Sequence, residues 1–188
     1  MTMSLDGYVT GPRDSPDTPL GIRGFRLFNW LDRRNAPGPS GQVYAEALAS
    51  RALIAGRRTY EHADRWQGDH HDGVPIFVLT HNVPDEPPPG SVRYVTDVNE
   101  CAAQARAAAG DGDVMVHGAG AAQALLRAGQ LDELELHVVP VLLGQGRRLF
   151  DDLPAEHIEL DPVRRLTTPQ VEEPTQHVMH LRYRIRRP

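Results

Sequence analysis

A single cysteine stands in 188 residues, so no disulfide closes within the chain and no cysteine-based metal site forms. A reducing, cytoplasmic setting is the expectation. Cys101 lies in an alanine-rich helical stretch and reads as a small buried side chain, not a nucleophile. No apolar run approaches the roughly 18 residues needed to cross a bilayer. No basic-then-apolar secretory segment opens the sequence, although residues 3–9 begin so abruptly that a preceding piece is conceivable. Positive charge is not in excess either. The 20 Lys and Arg against 25 Asp and Glu leave a net −5, which argues against nucleic acid or an anionic membrane as partner. There is no internal repeat, no serine in a nucleophile elbow and no phosphate loop ending in Gly-Lys-Ser/Thr. The 16 Pro and 17 Gly mark many turns without reaching low complexity. What is present, 40% hydrophobic and 24% charged residues, fits one globular domain over residues 1–188.

Apolar patterning divides this domain into alternating strands and helices. Strands are expected at 3–9, 52–55 (closed by Gly56), 76–80 (IFVLT), around Tyr94 and Val95, at 114–116 and at 134–142. Pro140 implies an edge, a bulge or a strand end within the last of these. Two antiparallel strands, 163–171 and 177–185, finish the chain. Helices are expected at 42–50, from Thr59 to Trp66, from the capping pattern Asp97-Val-Asn-Glu100 to Gly110, and from Gly118 to Gly129. The stretches 12–24, 36–41 and 82–90 read as loops. The alternation implies a mostly parallel α/β sheet with an antiparallel C-terminal hairpin. Such sheets bind ligands beyond the C-terminal ends of their strands.

The segment VMVHGAGAAQALL (114–126) carries the strongest chemical signal. A strand running through Gly118 and Gly120 into a helix presents free N–H groups and a positive dipole end, which suit a phosphate. The same glycines also serve as ordinary punctuation, and Gln123 breaks the Rossmann G-x-G-x-x-G spacing. Gly56-Arg57-Arg58-Thr59 follows another strand; two cations at a helix start oppose the dipole unless an anion joins them. Thr80 and His81 either contact a nucleotide or turn the chain. His62, Asp69, His70, His71 and Asp72 form the densest metal-ligand cluster, but without helical spacing they read as a solvated loop, and no metal is expected.

In order, MSLDGYVTGP (3–12), LIAGRRTYE (53–61), IFVLT, VMVHGAGAAQALL and LDELELHVVPVLLGQGRRLF (131–150) resemble the RibD C-terminal domain, the riboflavin-biosynthesis reductase of the dihydrofolate-reductase-like superfamily, and its stand-alone relatives. The resemblance implies a three-layer α/β/α fold with a mostly parallel mixed sheet and an antiparallel C-terminal hairpin. It implies NADPH as cofactor and hydride transfer to a small, heterocyclic substrate of the pterin or ribosylaminopyrimidine kind. Carried over, Arg57 and Arg58 approach the 2′-phosphate, with Gly56 before them and Thr59 on the pyrophosphate. Leu79, Thr80 and His81 flank the adenosine. Gly118, Ala119, Gly120, Ala121 and Ala122 cradle the pyrophosphate, and Val9 and Thr10 lie near the nicotinamide. Asp6 is a candidate catalytic acid, with a turn-forming Asp-Gly pair as its plainer reading. Phe28, Trp30 and Asp32 are candidate substrate contacts, with core packing as the alternative for the aromatic pair.

The carboxylate that a dihydrofolate reductase carries on the helix before the glycine-arginine strand end has no match. Ser40, Gln42 and Tyr44 stand at that turn, and Glu46 and Asp32 are the nearest acids. Nor does any segment of these 188 residues resemble the deaminase half, with its zinc ligands, that often accompanies the riboflavin reductase. A non-catalytic nucleotide-binding protein that keeps the fold is therefore the alternative expectation. Homodimerisation is implied by the family and supported by an apolar run at 136–143 expected near a sheet edge.

Overall fold

The computed structural model describes residues 1–86, 88–151, 153, 157–168 and 173–187. In chain order the elements are β1 (Thr2–Ser4), a 3-10 helix (Gly24–Arg33), α1 (Pro39–Leu48), β2 (Ala52–Gly56), α2 (Arg57–His62), a second 3-10 segment (Asp64–Gly68), β3 (Ile76–Leu79), β4 (Val92–Val95), α3 (Val98–Ala109), β5 (Val114–His117), α4 (Ala119–Arg127), β6 (Glu133–Val139), β7 (Leu160–Thr167), a 3-10 turn (Pro174–Gln176) and β8 (Met179–Ile185). They form two compact units, Met1–Glu46 with Leu131–Pro188, and Ala47–Gln130.

The continuous unit holds a wholly parallel sheet in the order β4-β3-β2-β5. The unbroken apolar runs of β2 and β3 place them at its centre: Leu53, Ala55, Ile76 and Val78 are fully buried, because helices cover strands of this kind on both faces. Asp97 caps α3 by accepting from the Glu100 N–H at 2.8 Å, and Gly110 (φ 59°) ends it. Cys101 is buried on α3, and burial pushes its thiol up to about 11, so it is inert at neutral pH.

The helix expected from Thr59 to Trp66 stops at His62. Asp64, Arg65, Trp66 and Gln67 then adopt left-handed φ values of 50°, 54°, 46° and 51°. Each costs about 1 kcal/mol or more. Trp66 offsets this by packing against Tyr60 (5.8 Å) and His70 (4.9 Å).

The discontinuous unit holds the sheet β1-β6-β8-β7, in which β1 runs parallel to β6 and the rest is antiparallel. Three expectations are corrected here. Residues 3–9 form a strand only to Ser4, because Leu5-Asp6-Gly7 turns the chain, with Gly7 at φ 87°. The 3-10 helix at Gly24–Arg33 was not foreseen; it buries Leu27 and Trp30 against Val43, Val139 and Val178. The β6 part of the apolar run, residues 136–139, lies on no edge, for β6 is flanked by β1 and β8, and Leu136, Val138 and Val139 are buried within the unit, whereas Leu142 beyond it is exposed. Pro140 marks the end of β6. Pro162 sits on edge strand β7 beside a register shift, where a missing N–H is tolerated. The sequence-based strand reaching 171 ends at Thr167, and residues 169–171 lie outside those described.

Candidate functional site

Parallel pairing sets the C-terminal ends of β3, β2 and β5 side by side. Gly56 pairs with Leu79, and Ala55 pairs with both Val78 and His117. The three polar or glycine-bearing strand ends, at Gly56–Thr59, Leu79–His81 and Gly118–Ala122, therefore share one sheet edge, as expected for a crevice in this class. Two of them interlock. Gly118 has φ 96° and ψ 135°, and a Cβ there would strike Thr59 Oγ1, with Gly56 N only 3.6 Å away. No side chain caps α4; Gly118 is its N-cap, and its carbonyl accepts from Ala122 N at 3.0 Å. The first N–H groups of α4 are thus left for an outside acceptor, with the positive end of the dipole behind them. Gly120 is exposed, and a Cβ there would meet open space. Gly56 has an ordinary φ of −71°, so of these three glycines only Gly118 is demanded by the backbone.

Arg57 is half-buried. Its Nε donates to Glu61 at 2.7 Å and its Nη1 to the Asn82 carbonyl at 2.8 Å, which orients the guanidinium between α2 and the loop after β3. Arg58 is exposed. Thr80 is buried and turns the chain: its Oγ1 donates to Asn82 O (2.9 Å) and accepts from Asn82 N (3.3 Å), while His81 is exposed.

The histidine loop differs from the solvated loop expected. Asp69 and Asp72 are exposed, but His70 and His71 turn inward, with Nδ1 atoms 2.7 Å apart and the His70 ring 5.0 Å from His117. Burial, then the neighbouring imidazoles, lower His70 to about 4 and His117 to about 3, so both are neutral at physiological pH. Among the described residues no group of three or more potential ligands is set to hold a metal ion.

In the other unit, both oxygens of Asp6 are occupied. Oδ1 accepts from Ser4 Oγ (2.5 Å) and Leu143 N (3.1 Å), and Oδ2 accepts from Gly144 N (2.8 Å). Partial burial acts to raise its pKa, and these bonds outweigh it and hold the carboxyl below its usual value. This geometry is that of a turn staple joining the end of β1 to the loop after β6. Asp6→Ala should cost about 1–3 kcal/mol, and Asp6→Asn, which keeps one acceptor, clearly less; urea unfolding of the two variants checks the order. Val9 and Thr10 continue the same joint: Val9 N donates to Arg147 O (2.8 Å), and Thr10 Oγ1 accepts from Arg147 N (3.3 Å).

Trp30 is a core residue at 4% exposure, which corrects its reading as a substrate contact. Its Nε1 donates to Thr2 Oγ1 at 3.3 Å, and its ring packs against His137 (4.8 Å) and His180 (5.1 Å). Phe28 is half-buried against the same cluster, and Asp32 is exposed. Glu46 is held by Arg164 at 2.7 Å and Arg182 at 3.0 Å, and both arginines also pair with Glu135. Sequence reasoning missed the group beneath: Ser40 Oγ lies 3.4 Å from His180 Nε2, and His180 Nδ1 lies 2.9 Å from His137 Nδ1. His180 is fully buried. Its place between Val178 and Leu181, in an imperfect alternation, was the one available signal.

The family model for the RibD C-terminal domain matches residues 1–172. Among solved structures the chain is similar to a candidate riboflavin biosynthesis protein from Shewanella sp. PV-4 (23% identity over 98% of this chain and 96% of that one, TM-score 0.70). It is similar to a pyrimidine reductase-like protein from Corynebacterium diphtheriae (12% identity, 99% and 90% covered, TM-score 0.64). It is also similar to dihydrofolate reductase from Enterococcus faecalis complexed with NADP(H) and RAB-propyl (19% identity, 78% and 82% covered, TM-score 0.54). These likenesses establish the dihydrofolate-reductase-like α/β fold. No match was found among curated proteins. No described helix is long and apolar enough to cross a membrane.

Proposed function

Because the chain belongs to the RibD C-terminal domain family, we propose that it is an NADPH-dependent reductase acting on a small heterocycle of the pterin or ribosylaminopyrimidine kind. The observation that carries this reading is the Gly118 junction, where a glycine forced by φ and by Thr59 leaves the α4 N-terminus open beside Gly56. Gly118–Ala122 and Thr59 suit the pyrophosphate, Arg57 and Arg58 the 2′-phosphate, and Leu79–His81 the adenosine. NADPH would supply hydride; the protein's own part is to orient cofactor and substrate and to exclude water. The decisive experiment is NADPH binding, followed by NADPH oxidation with 7,8-dihydropterin and with a ribosylaminopyrimidine phosphate. Failure to bind NADPH overturns the reading.

Arg57→Ala should cut the preference for NADPH over NADH about tenfold or more, the worth of one charge-assisted hydrogen bond. Titration with both cofactors measures it, and an unchanged ratio would remove Arg57 from the 2′-phosphate. The second reading, a nucleotide-binding protein without catalysis, is favoured by the engagement of Asp6 and Glu46 within the fold. Tight NADPH binding without oxidation would select it. The proposed setting is cytoplasmic and the proposed assembly a homodimer. Adjacent exposed Leu5 and Leu142 support the dimer, and sedimentation equilibrium tests it.

A further inference from the structure

We propose that Glu61 and Thr80 are positioning residues that set the Arg57 guanidinium before the cofactor arrives, and so decide how strongly the crevice prefers NADPH to NADH. The inference rests on the reductase reading above. Every residue it uses belongs to the unit Ala47–Gln130.

An arginine carries five N–H donors in a rigid plane at the end of a stem with many rotamers. Unheld, the plane of the first residue of α2 would sweep through solvent. Here two separate elements hold it. One turn further along α2, Glu61 Oε1 accepts from Arg57 Nε at 2.7 Å. In the loop after β3, the Asn82 carbonyl accepts from Arg57 Nη1 at 2.8 Å. Among the described residues, both N–H groups of Nη2 and one of Nη1 stay unused, enough for a two-point grip on a phosphate. An i,i+4 pair with side chains 36% and 39% exposed adds little stability by itself. Its consequence is orientation, because a second anchor from another element fixes the plane.

That second anchor is itself held. The Asn82 carbonyl also accepts from Thr80 Oγ1 at 2.9 Å, so both of its lone pairs are engaged, and Thr80 Oγ1 accepts in turn from Asn82 N at 3.3 Å. Thr80 is buried at 7% exposure, and its N–H donates to the carbonyl of Val95, the last residue of β4, at 3.0 Å. The Thr80 hydroxyl is therefore engaged within the turn and reaches Arg57 through the Asn82 peptide.

Glu61 acts on a nearby phosphate in two opposite ways. Its charge repels the anion, and salt screens that repulsion at so exposed a site. Its oxygen orients Arg57, and immobilising a rotamer-rich side chain only at the moment of binding weakens affinity about two- to tenfold. Glutamine keeps the oxygen and drops the charge, whereas alanine drops both. The comparison of these two variants thus isolates orientation. The 2′-phosphate is all that distinguishes NADPH from NADH, so a general disturbance of the crevice cancels in the ratio of the two dissociation constants.

The test has two arms on the full chain. In the first, nitrogen-15 spectra of the cofactor-free protein should show the Arg57 Nε–H protected from solvent exchange. Glu61→Ala should lose that protection, and Glu61→Gln should keep it. A wild-type Nε–H that exchanges as fast as that of free arginine overturns the proposal whatever the cofactor does. In the second arm, titration with NADPH and NADH measures the preference. It should be about fivefold lower in Glu61→Ala than in Glu61→Gln, and about threefold lower in Thr80→Val than in Thr80→Ser. Thr80→Ala replaces Thr80→Val if the valine variant does not fold. In an Arg57→Ala background both differences should vanish. Equal preferences within the Glu61 pair overturn the part of Glu61, and equal preferences within the Thr80 pair overturn that of Thr80. Differences that persist without Arg57 overturn both. If NADPH does not bind, the reductase reading falls and both roles with it. If Arg57→Ala alters the preference while neither pair differs, the positioning alone is removed.

Discussion

Gly118→Ala should lose about 2–3 kcal/mol of stability and weaken NADPH binding at least tenfold. Two separate penalties combine. A φ of 96° with ψ 135° is a region that side chains rarely enter, worth about 1–3 kcal/mol by itself. The new Cβ would also collide with Thr59 Oγ1, pushing α2 away from the start of α4. A double-mutant cycle separates them: Thr59→Ala removes the collision but not the backbone strain, so the double variant should recover part of the loss. Gly120→Ala serves as the stability control, since its Cβ meets nothing and alanine favours the helix by about 0.5–1 kcal/mol. Urea unfolding and NADPH titration measure both effects. Wild-type stability in Gly118→Ala would show that the junction is not glycine-dependent.

The second large effect concerns acid stability. Hydrogen bonding from Arg164 comes first among the causes that lower Glu46 from 4.5 to about 2; burial opposes it, and Gln42 and Arg182 add to it. A carboxylate depressed on folding stabilises the protein at pH above its unfolded value, and that stabilisation is lost as pH falls through the folded one. The loss should therefore run from about pH 4.5 down to about 2. Fully expressed, a depression of this size is worth about 3 kcal/mol. The Glu46 side chain is 34% exposed, so solvent screening reduces the expected loss to about 1–2 kcal/mol. Glu46→Gln should flatten the stability profile over that window and destabilise the protein at neutral pH, because Arg164 and Arg182 lose a partner while still half-buried. Thermal melts across the acid range test this; an unchanged slope would show that Glu46 does not set acid stability.

What could be read in advance follows from local physics. IFVLT reads as a central strand because four consecutive apolar residues leave no face for water, and β3 lies between β2 and β4. Asp97 and Gly110 bracket α3 because capping needs only groups a few residues away. The positions of the glycine-bearing strand ends were legible for the same reason, since each strand end and the helix after it are contiguous in sequence.

What could not be read depends on distant partners. Nothing local distinguishes a catalytic Asp6 from a stapling one; the difference is made by N–H groups at Leu143 and Gly144. The left-handed turn at Asp64–Gln67 defies local propensity and is held by the packing of Trp66. His180 alternates with apolar neighbours on its strand, and only the pairing of β8 with β6 sets it against His137.

The sequence by itself determined the strand and helix order, the family and the glycine-bearing edge, because periodicity, capping and turn chemistry act over a few residues. Tertiary structure alone decided that Gly118 must be glycine, that Trp30 belongs to the core, that Glu46 is bound to two arginines and that Ser40 backs onto a histidine pair. Each of these is a contact between atoms far apart in sequence, and only the folded chain brings them within reach.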